Sequence, residues 1–421
     1  MDPAVTKNLL RDKIIKILSL LLFVRLALYI PVPGVEFDIF TKSQNLNPMF
    51  GFAKTLVGSS FLGIGALGIL PYINASIIIQ LLTPLFPGLE KKQKEEGELG
   101  RQQIAKYTRY LTLGWALLLS SAIAFFLIKP ISFDWSALLA LKIILSLTVG
   151  SILSMWFSEL ITEEGLGNGS SMIIFINIVG GIPNSLQNFS KTLINNDSLN
   201  LINIGFKNLI VYLFIVVTII IFQDSYKKIQ LVSAKQLNME ADTQLESTKL
   251  APIFIPLKLN QGGIMPLVFS STVAIVFLYP VQIGLGGLML SNSELGSQLL
   301  TTCSIFINLI LIVFFSCFYV SLVLKPKDVA ENLSKMAYSI PGVRQGKPTI
   351  KYLEKISNRL AFVSGLFLAF LAFFPIVASN IFKLTLFKNL TSLLILIGVI
   401  TDTTSQIQGY LVSARYEVKK T

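Results

Sequence analysis

Long apolar stretches separated by polar ones recur along the whole chain. Each approaches the roughly 20 residues that a helix needs to cross the hydrocarbon core of a bilayer. The fifth stretch is short, and polar residues interrupt the second and the tenth. The ten stretches lie at about residues 14–33, 61–86, 107–128, 135–158, 166–183, 206–223, 264–285, 299–324, 360–382 and 390–412. The pattern predicts an all-α polytopic membrane protein with ten transmembrane helices.

Composition supports this class and narrows the chemistry. Hydrophobic residues make up 53% of the chain and charged residues only 14%, whereas about a quarter of a typical soluble domain is charged. The sequence contains no histidine, which excludes histidine-based acid–base catalysis and histidine-ligated metals. Cys303 and Cys317 share one apolar stretch and would lie about 21 Å apart on a helix, too far for a disulfide. We expect no metal, no cofactor and no catalytic site.

Basic residues predict the orientation. If the N-terminus lies in the cytoplasm or stroma, 26 Lys and Arg residues fall on that side and 8 on the opposite side. Because Lys and Arg accumulate on the cytoplasmic side of membrane proteins, both termini are predicted to face the cytoplasm or stroma. The net charge of +12 therefore does not require a nucleic-acid partner.

Two long loops are predicted on this basic side, at about residues 225–263 and 325–359. The first contains IQLVSAKQL and IFIPLKLN, whose alternating pattern is typical of two strands that pair as a hairpin. The second is the most basic segment of the chain. A solvated charge run that only sets topology is one interpretation, and a docking surface for an anionic partner is the other.

A weak internal repeat divides the chain in two. GILP at 68–71 and GIMP at 263–266 each open an apolar stretch that carries hydroxyl or amide residues. Five spans in each half would place the second half upside down relative to the first, as in inverted-repeat membrane proteins. The predicted halves are residues 1–183, with spans one to five, and residues 184–421, with spans six to ten.

The second span is broken before it becomes regular. Five glycines lie within residues 50–70, and Pro71 follows them. Because irregular backbone cannot face lipid, this segment must be shielded by protein or line a water-filled cavity. We expect a re-entrant half-helix, followed by a second helix that starts at Pro71. Residues 63–68 match GxGxxG, but they do not lie within a βαβ unit, so a nucleotide site is not predicted.

Several segments resemble the signature motifs of the SecY family, the pore subunits of protein-translocation channels. The resemblance runs in order along the chain, and GELGR followed by GWA is most similar to the cyanobacterial and plastid branch. The segments are LGILPYINASIIIQLLTPLFP, EEGELGRQQIAKYTRY, ITEEGLGNGSSMIIF, PLKLNQGGIMP and AYSIPGVRQGKPTIKYLEKI.

The resemblance implies a plug and a pore ring. The re-entrant segment at about 48–62 would be the plug that closes the channel, and Gly58, Ser59, Ser60 and Phe61 are the plug residues that the resemblance indicates. A constriction of aliphatic side chains would pass unfolded chains and exclude ions by dewetting. By resemblance the ring positions are Ile69, Ile73, Ile174, Val268 and Ile395. A sixth position aligns with Ser170, which departs from the family pattern and leaves the ring incomplete or shifted toward Met172.

The resemblance also implies docking residues and partners. Arg344 of IPGVRQG would engage a SecA-type motor ATPase and the ribosome, with Lys347, Lys351 and Lys355 extending the basic surface. Further expected partners are a single-span SecE-type subunit, a SecG-type subunit, signal sequences and membrane lipids. Signal sequences would leave sideways between spans two and three and spans seven and eight. The expected location is the plastid thylakoid membrane, with a bacterial plasma membrane as the alternative.

Polar residues within the spans leave a rival hypothesis open. Arg25, Gln80, Glu159 and Asp402 could mark a transport pathway. A water-filled cytoplasmic funnel would equally explain Asp402, and snorkelling or pairing is the favoured role for Arg25. Secondary transporters also use inverted repeats and broken helices. A transporter, however, usually carries buried charges or ion ligands at mid-depth, where this chain is aliphatic. A membrane enzyme is disfavoured by the lack of histidine and of clustered acids. The chain has no GxxxxGK[ST] motif, so energy must come from a partner.

Overall fold

The computed structural model describes residues 3–33, 63–94, 96–129, 135–164, 167–194, 210, 213–233, 253–263, 265–267, 269–270, 273, 294–382 and 390–418. The predicted plug, Val268 and most of the predicted seventh span lie outside the described residues. The ten-span layout therefore remains a prediction.

Helices dominate the described residues. They are α1 (Pro3–Ala27), α2 (Leu70–Leu85), α3 (Pro87–Lys94), α4 (Gly97–Ala122), α5 (Ala137–Glu163), α6 (Gly169–Ile194), α7 (Leu213–Asp224), α8 (Glu294–Val323), α9 (Pro326–Lys335), α10 (Lys347–Phe382) and α11 (Leu390–Val418). A π-helix at Ile123–Ile128 continues α4. Among the described residues, four helical stretches are long and apolar enough to cross a membrane: Gly97–Phe125, Ala137–Glu163, Ile305–Lys335 and Lys347–Phe374.

The chain divides into two compact units. Unit 1 comprises residues 1–190 and 399–421, and unit 2 comprises residues 191–398. Helix α11 thus contributes its first residues to unit 2 and the remainder to unit 1. Each unit has its own apolar core.

The core of unit 1 lies between α4, its π-helical extension and α5. Its buried members are Val32, Ala66, Leu67, Ala124, Ile128, Ile143 and Leu147. The buried face of α4 carries small residues at four-residue intervals: Thr108, Thr112, Ala116 and Ser120. The Ser120 and Thr148 hydroxyls lie 3.1 Å apart, which joins α4 to α5. A polar contact of this kind stabilises helix pairs in a bilayer, where apolar packing alone gives little preference over lipid.

The core of unit 2 is formed mainly by α7, α8, α10 and the start of α11. Ile219, Ile312 and Leu368 are almost completely buried there. The rings of Phe222 and Phe367 stack with their centroids 3.9 Å apart. Gly365 allows α8 to approach α10 closely, because a Cβ at this position would lie 3.1 Å from the Ser316 Cβ.

A small sheet projects from the helices of unit 2. The predicted hairpin is confirmed: β1 (Tyr226–Ser233) pairs antiparallel with β2 (Ile253–Lys258), and Ile229 lies opposite Ile255. A short strand that the sequence pattern did not predict, β3 (Tyr338–Ser339), pairs with the other edge of β1. The strand order is β2-β1-β3. With α9 and the first turns of α10, these strands form what we call the sheet subdomain.

Candidate functional site

Residues 63–69 form a series of turns that we call the docked turn, because its backbone is hydrogen-bonded to the end of α1. The Ile64 N–H donates to the Ile30 carbonyl at 2.9 Å, and the Gly65 N–H donates to the Ala27 carbonyl at 3.1 Å. Gly63 forms an isolated bridge with Pro31. Irregular backbone is therefore present where the broken second span predicts it, and protein groups satisfy part of its hydrogen-bonding demand.

Close backbone contact explains two of the glycines around the docked turn. A Cβ at Gly63 would lie 2.0 Å from the Leu28 carbonyl oxygen, and a Cβ at Gly150 of α5 would lie 2.0 Å from the Ile64 carbonyl oxygen. Neither oxygen can move without moving backbone. Gly68 has a φ of +50°, a conformation that favours glycine. The docked turn is thus held between α1 and α5 at positions where only glycine fits.

We expect Gly150→Ala to displace the docked turn and to lower the free energy of unfolding by about 1–3 kcal/mol, the usual cost of overpacking a tight contact. The measurement is the thermal unfolding midpoint of the purified protein in detergent. Gly114→Ala on α4 is the matched control, since a Cβ there meets nothing within 4 Å. Equal midpoints for the two variants would contradict the tight packing of Ile64 on α5.

The docked turn leads directly into the first two predicted ring positions. Ile69 is the N-cap of α2, and Pro71 occupies its first turn. Ile73 follows one turn later, and the two side chains are 3% and 2% exposed. Ile174 is half-buried on α6 in the same unit. Ile395 is half-buried on α11 in unit 2, and Val268 lies outside the described residues, so the ring of five remains a prediction.

Ser170 has a local role at the start of α6. Its hydroxyl donates to Asn168 Oδ1 at 2.8 Å, and its backbone N–H reaches the same oxygen at 3.1 Å. The Gly169 N–H donates to Thr162 Oγ1 at 2.9 Å. These bonds satisfy N–H groups that have no partner within the helix. The residue that departs from the family pattern is therefore engaged in capping and is only 5% exposed.

Several polar residues of the spans have partners on a neighbouring helix or on their own helix. Glu159 on α5 accepts two contacts from Arg109 on α4, with N–O distances of 2.9 and 3.1 Å. Lys16 on α1 binds Glu164 at 3.2 Å. Gln80 donates to Ser76 Oγ at 3.3 Å, one turn away. The Arg109–Glu159 pair was not predicted, although an acid within an apolar stretch implies a basic partner.

Within the predicted docking loop, residues 340–346 form a turn between β3 and α10. Ile340 is 5% exposed and packs into the core of the sheet subdomain. Gly342 and Gly346 have φ values of +78° and +95°, which let the chain reverse twice within seven residues. Between them, the Arg344 carbonyl accepts a hydrogen bond of 2.8 Å from the buried Thr349 hydroxyl. This bond fixes the backbone of Arg344, while its side chain is exposed.

Three lysines extend from this turn along α10. Lys347, Lys351 and Lys355 are all exposed and follow each other at four-residue intervals, so they share one helix face over about 12 Å. On the opposite face, Leu353 and Ile356 pack into the core of the sheet subdomain. The four predicted docking residues thus follow one another from the turn into α10, and the opposite face of this helix is buried.

The chain matches the SecY family model over residues 63–404. It is 71% identical to the protein translocase subunit SecY of the alga Emiliania huxleyi, over 99% of each chain. The chain belongs to the SecY family. SecY proteins of Guillardia theta and of the cyanobacterium Synechocystis sp. are 43% and 39% identical to it, over 98% and 97% of this chain and 98% and 93% of theirs. This SecY-family chain is therefore a multi-pass membrane protein and a protein translocase subunit, with relatives in plastid-bearing algae and cyanobacteria.

Solved structures share the fold of this SecY-family chain. A structure described as a protein conducting channel aligns with a TM-score of 0.64 over 94% of this chain and 92% of its own, at 17% identity. Sec61 from the canine ribosome–channel complex aligns with a TM-score of 0.60 over the same shares, also at 17% identity. At these identities the comparison establishes the fold.

Proposed function

We propose that this chain is the pore subunit of a channel that passes unfolded polypeptides across a membrane and releases signal sequences and membrane segments sideways into lipid. The observation that carries this proposal is full-length similarity to protein translocase subunits, joined to the fold of a protein-conducting channel. The channel is passive and performs no catalysis. A polypeptide arrested in transit and crosslinked to the ring positions provides the direct test.

The channel would consist of two inverted five-helix halves, residues 1–183 and 184–421. Ile69, Ile73, Ile174, Val268 and Ile395 would form the constriction, and flexible aliphatic side chains suit it because they repel water and bind no particular substrate. The buried, regular placement of Ile69 and Ile73 after a rigid turn supports the first two positions. Spans two and three and spans seven and eight would form the lateral exit.

A secondary transporter is the alternative, and the comparisons do not favour it. It rested on inverted repeats and broken helices, and polar residues within the spans could have marked its pathway. Glu159 is instead paired with Arg109, and Gln80 bonds to its own helix. These contacts give both residues a role in helix packing and stability.

The docking turn and its lysines would bind the partners that drive transport. Residues 325–359 contain eight Lys and Arg residues against three Asp and Glu. Such a surface attracts both ribosomal RNA and the acidic surface of a SecA-type motor. We also propose a single-span SecE-type subunit and a SecG-type subunit as membrane partners, and signal sequences and lipids at the lateral exit.

The proposed location is the plastid thylakoid membrane, with both termini in the stroma. The algal and cyanobacterial relatives support a photosynthetic membrane. The excess of basic residues on one side supports the orientation. A bacterial plasma membrane is the alternative location.

Deleting residues 52–62 should raise the resting ion conductance in planar bilayers and relax signal-sequence selectivity, because the proposed plug would be lost. The protein should still fold, since the docked turn that follows keeps its own hydrogen bonds to α1. Deleting residues 237–247, an equal length in the loop after span six, is the control and should leave the conductance unchanged. Equal ion tightness in both deletion variants would show that the plug is assigned to the wrong segment.

A further inference from the structure

Arg25 occupies an unusual position for a charged residue. It lies in the last turn of α1, within an apolar stretch, and its side chain is half-buried. A guanidinium at bilayer depth is costly unless it faces the protein interior or reaches water. The molecule must therefore provide a specific environment for it.

That environment is the backbone of α6. A Cβ at Gly180 would lie 1.9 Å from Arg25 Nη2 and 2.0 Å from Cζ, so the guanidinium occupies the space where any other residue would carry a side chain. The Tyr29 ring centroid lies 5.6 Å from Cζ on the other side. Glycine at position 180 is thus what admits the guanidinium to the helix surface.

The same turn of α6 carries a backbone defect. Pro183 lies inside the helix and has no N–H, so the carbonyl of Val179 lacks its usual donor four residues on. A guanidinium carries five N–H donors, and the low dielectric of the site strengthens its attraction to backbone carbonyls. The charge of Arg25 therefore lies beside a helix turn in which the proline removes one backbone N–H donor.

Three contacts join this region into one cluster. Arg25 connects α1 to α6, the Ala27 and Ile30 carbonyls connect α1 to the docked turn, and Gly68 of the docked turn lies close to α6. The last contact is with Asn177, whose Nδ2 would lie 3.8 Å from a Cβ at Gly68. The cluster immediately precedes Ile69, and Ile174 lies two turns before Gly180 on α6.

We propose that Arg25 is a positioning residue of the pore. Its guanidinium packs against Gly180 and holds α1 against α6. This contact sets the position of the docked turn, and therefore the positions of Ile69 and Ile73 relative to Ile174. We call this contact the Arg25 clasp. The inference rests on the proposed function, because it matters for transport only if these isoleucines form the constriction.

Gly180→Ala and Gly181→Ala form a matched pair that tests the clasp. Both replace a glycine in the same helix by alanine, but a Cβ at Gly181 meets nothing within 4 Å. The Gly180 Cβ would collide with the far end of a flexible side chain, so Gly180→Ala should expel Arg25 without unfolding α6. Arg25→Met removes the same contact from the other side, and Arg25→Lys keeps the charge but lacks the planar fork.

The variants are compared in the complete channel complex by hydrogen–deuterium exchange over residues 63–70 and by resting ion leak after reconstitution. We expect Gly180→Ala and Arg25→Met each to accelerate exchange of the docked turn and to raise the leak several-fold. The double variant should be no worse than either single one, Arg25→Lys should be intermediate, and Gly181→Ala should match wild type. The thermal midpoints of Gly180→Ala and Gly181→Ala should agree.

Four results would overturn the proposal or part of it. Equal exchange in Gly180→Ala and Gly181→Ala would remove the clasp. Additive effects in the double variant would show that Arg25 and Gly180 act separately and would also remove it. Faster exchange with an unchanged leak would refute the role of Arg25 in the pore. Failure of an arrested chain to crosslink at Ile69 and Ile174 would refute the proposed pathway, but it would leave the contact between Arg25 and Gly180 intact.

Discussion

Arg344→Glu should reduce motor-driven or ribosome-driven translocation by about tenfold or more, since losing one charge-assisted hydrogen bond and adding repulsion removes at least ~1.4 kcal/mol. The Arg344 side chain is exposed, and its backbone is held by the Thr349 hydroxyl and by the buried Ile340. Folding and membrane insertion should therefore be normal. The measurement is the transport rate of a secretory precursor into vesicles at physiological salt, with motor or ribosome supplied.

Two further variants distinguish specific recognition of Arg344 from attraction to the overall positive charge of this surface. Arg359→Glu makes the same charge reversal at another exposed position of α10, three helical turns beyond Lys347. It should have much less effect if the turn is the point of contact. Arg344→Lys should retain partial activity and become more sensitive to salt, because an ammonium lacks the bidentate fork. Equal losses for Arg344→Glu and Arg359→Glu would mean that the partner senses only the summed charge.

A polypeptide arrested midway through transport should form disulfides with cysteines placed one at a time at Ile69, Ile73, Ile174, Val268 and Ile395. Cys303 and Cys317 are free and are replaced first. A channel surrounds the chain at its constriction, so all five positions should react with a single cysteine in the arrested segment. Ile73→Asp should in addition raise the resting ion leak, since a carboxylate attracts the water that an aliphatic ring repels.

Controls for this experiment must face lipid. Leu145 and Val149 on α5 are each 50% exposed and serve this purpose. Ile77, on the same helix as Ile73, is unsuitable because it is only 6% exposed. If the five ring positions crosslink no better than Leu145 and Val149, the pore assignment is wrong even though the family membership stands. A secondary transporter would give this result, because no polypeptide would enter it.

Regular elements were the most predictable part of the fold. Apolar stretches of about 20 residues become helices because a backbone in lipid must satisfy its own hydrogen bonds, and a helix does so within one segment. The hairpin was predictable because apolar and polar residues alternate along its first strand. Side chains two residues apart lie on the same face of a strand, so Ile229 and Leu231 both pack into one core. Strand β3 has only two residues, too few to carry a periodic pattern, and it exists because Val232 and Ser233 offer a free edge.

The candidate site was predictable only in part, and mainly through motifs. Resemblance of IPGVRQG to the family motif singled out Arg344, and the structure shows this residue exposed within a turn. The support from Thr349 was not foreseen, since a threonine in the first turn of a helix has several possible partners. Resemblance identifies Ser170 as a departure from the ring pattern, and only the structure shows that its hydroxyl donates to Asn168 Oδ1. Side-chain direction at a helix start depends on the preceding turn, which a residue pattern does not specify.

Local information in the chain was sufficient for the structural class, the charge asymmetry, the family and the helices that the structure describes. These properties depend on residues that are neighbours in sequence, and transfer free energy or hydrogen bonding within one segment decides them. Contacts between distant segments required the folded structure. Gly150 with Ile64, Arg109 with Glu159 and Arg25 with Gly180 join residues separated by 50 to more than 150 positions. Each contact forms only when two segments of the chain meet with the correct relative rotation and depth. Close packing in three dimensions selects that pairing from the many that the sequence alone allows.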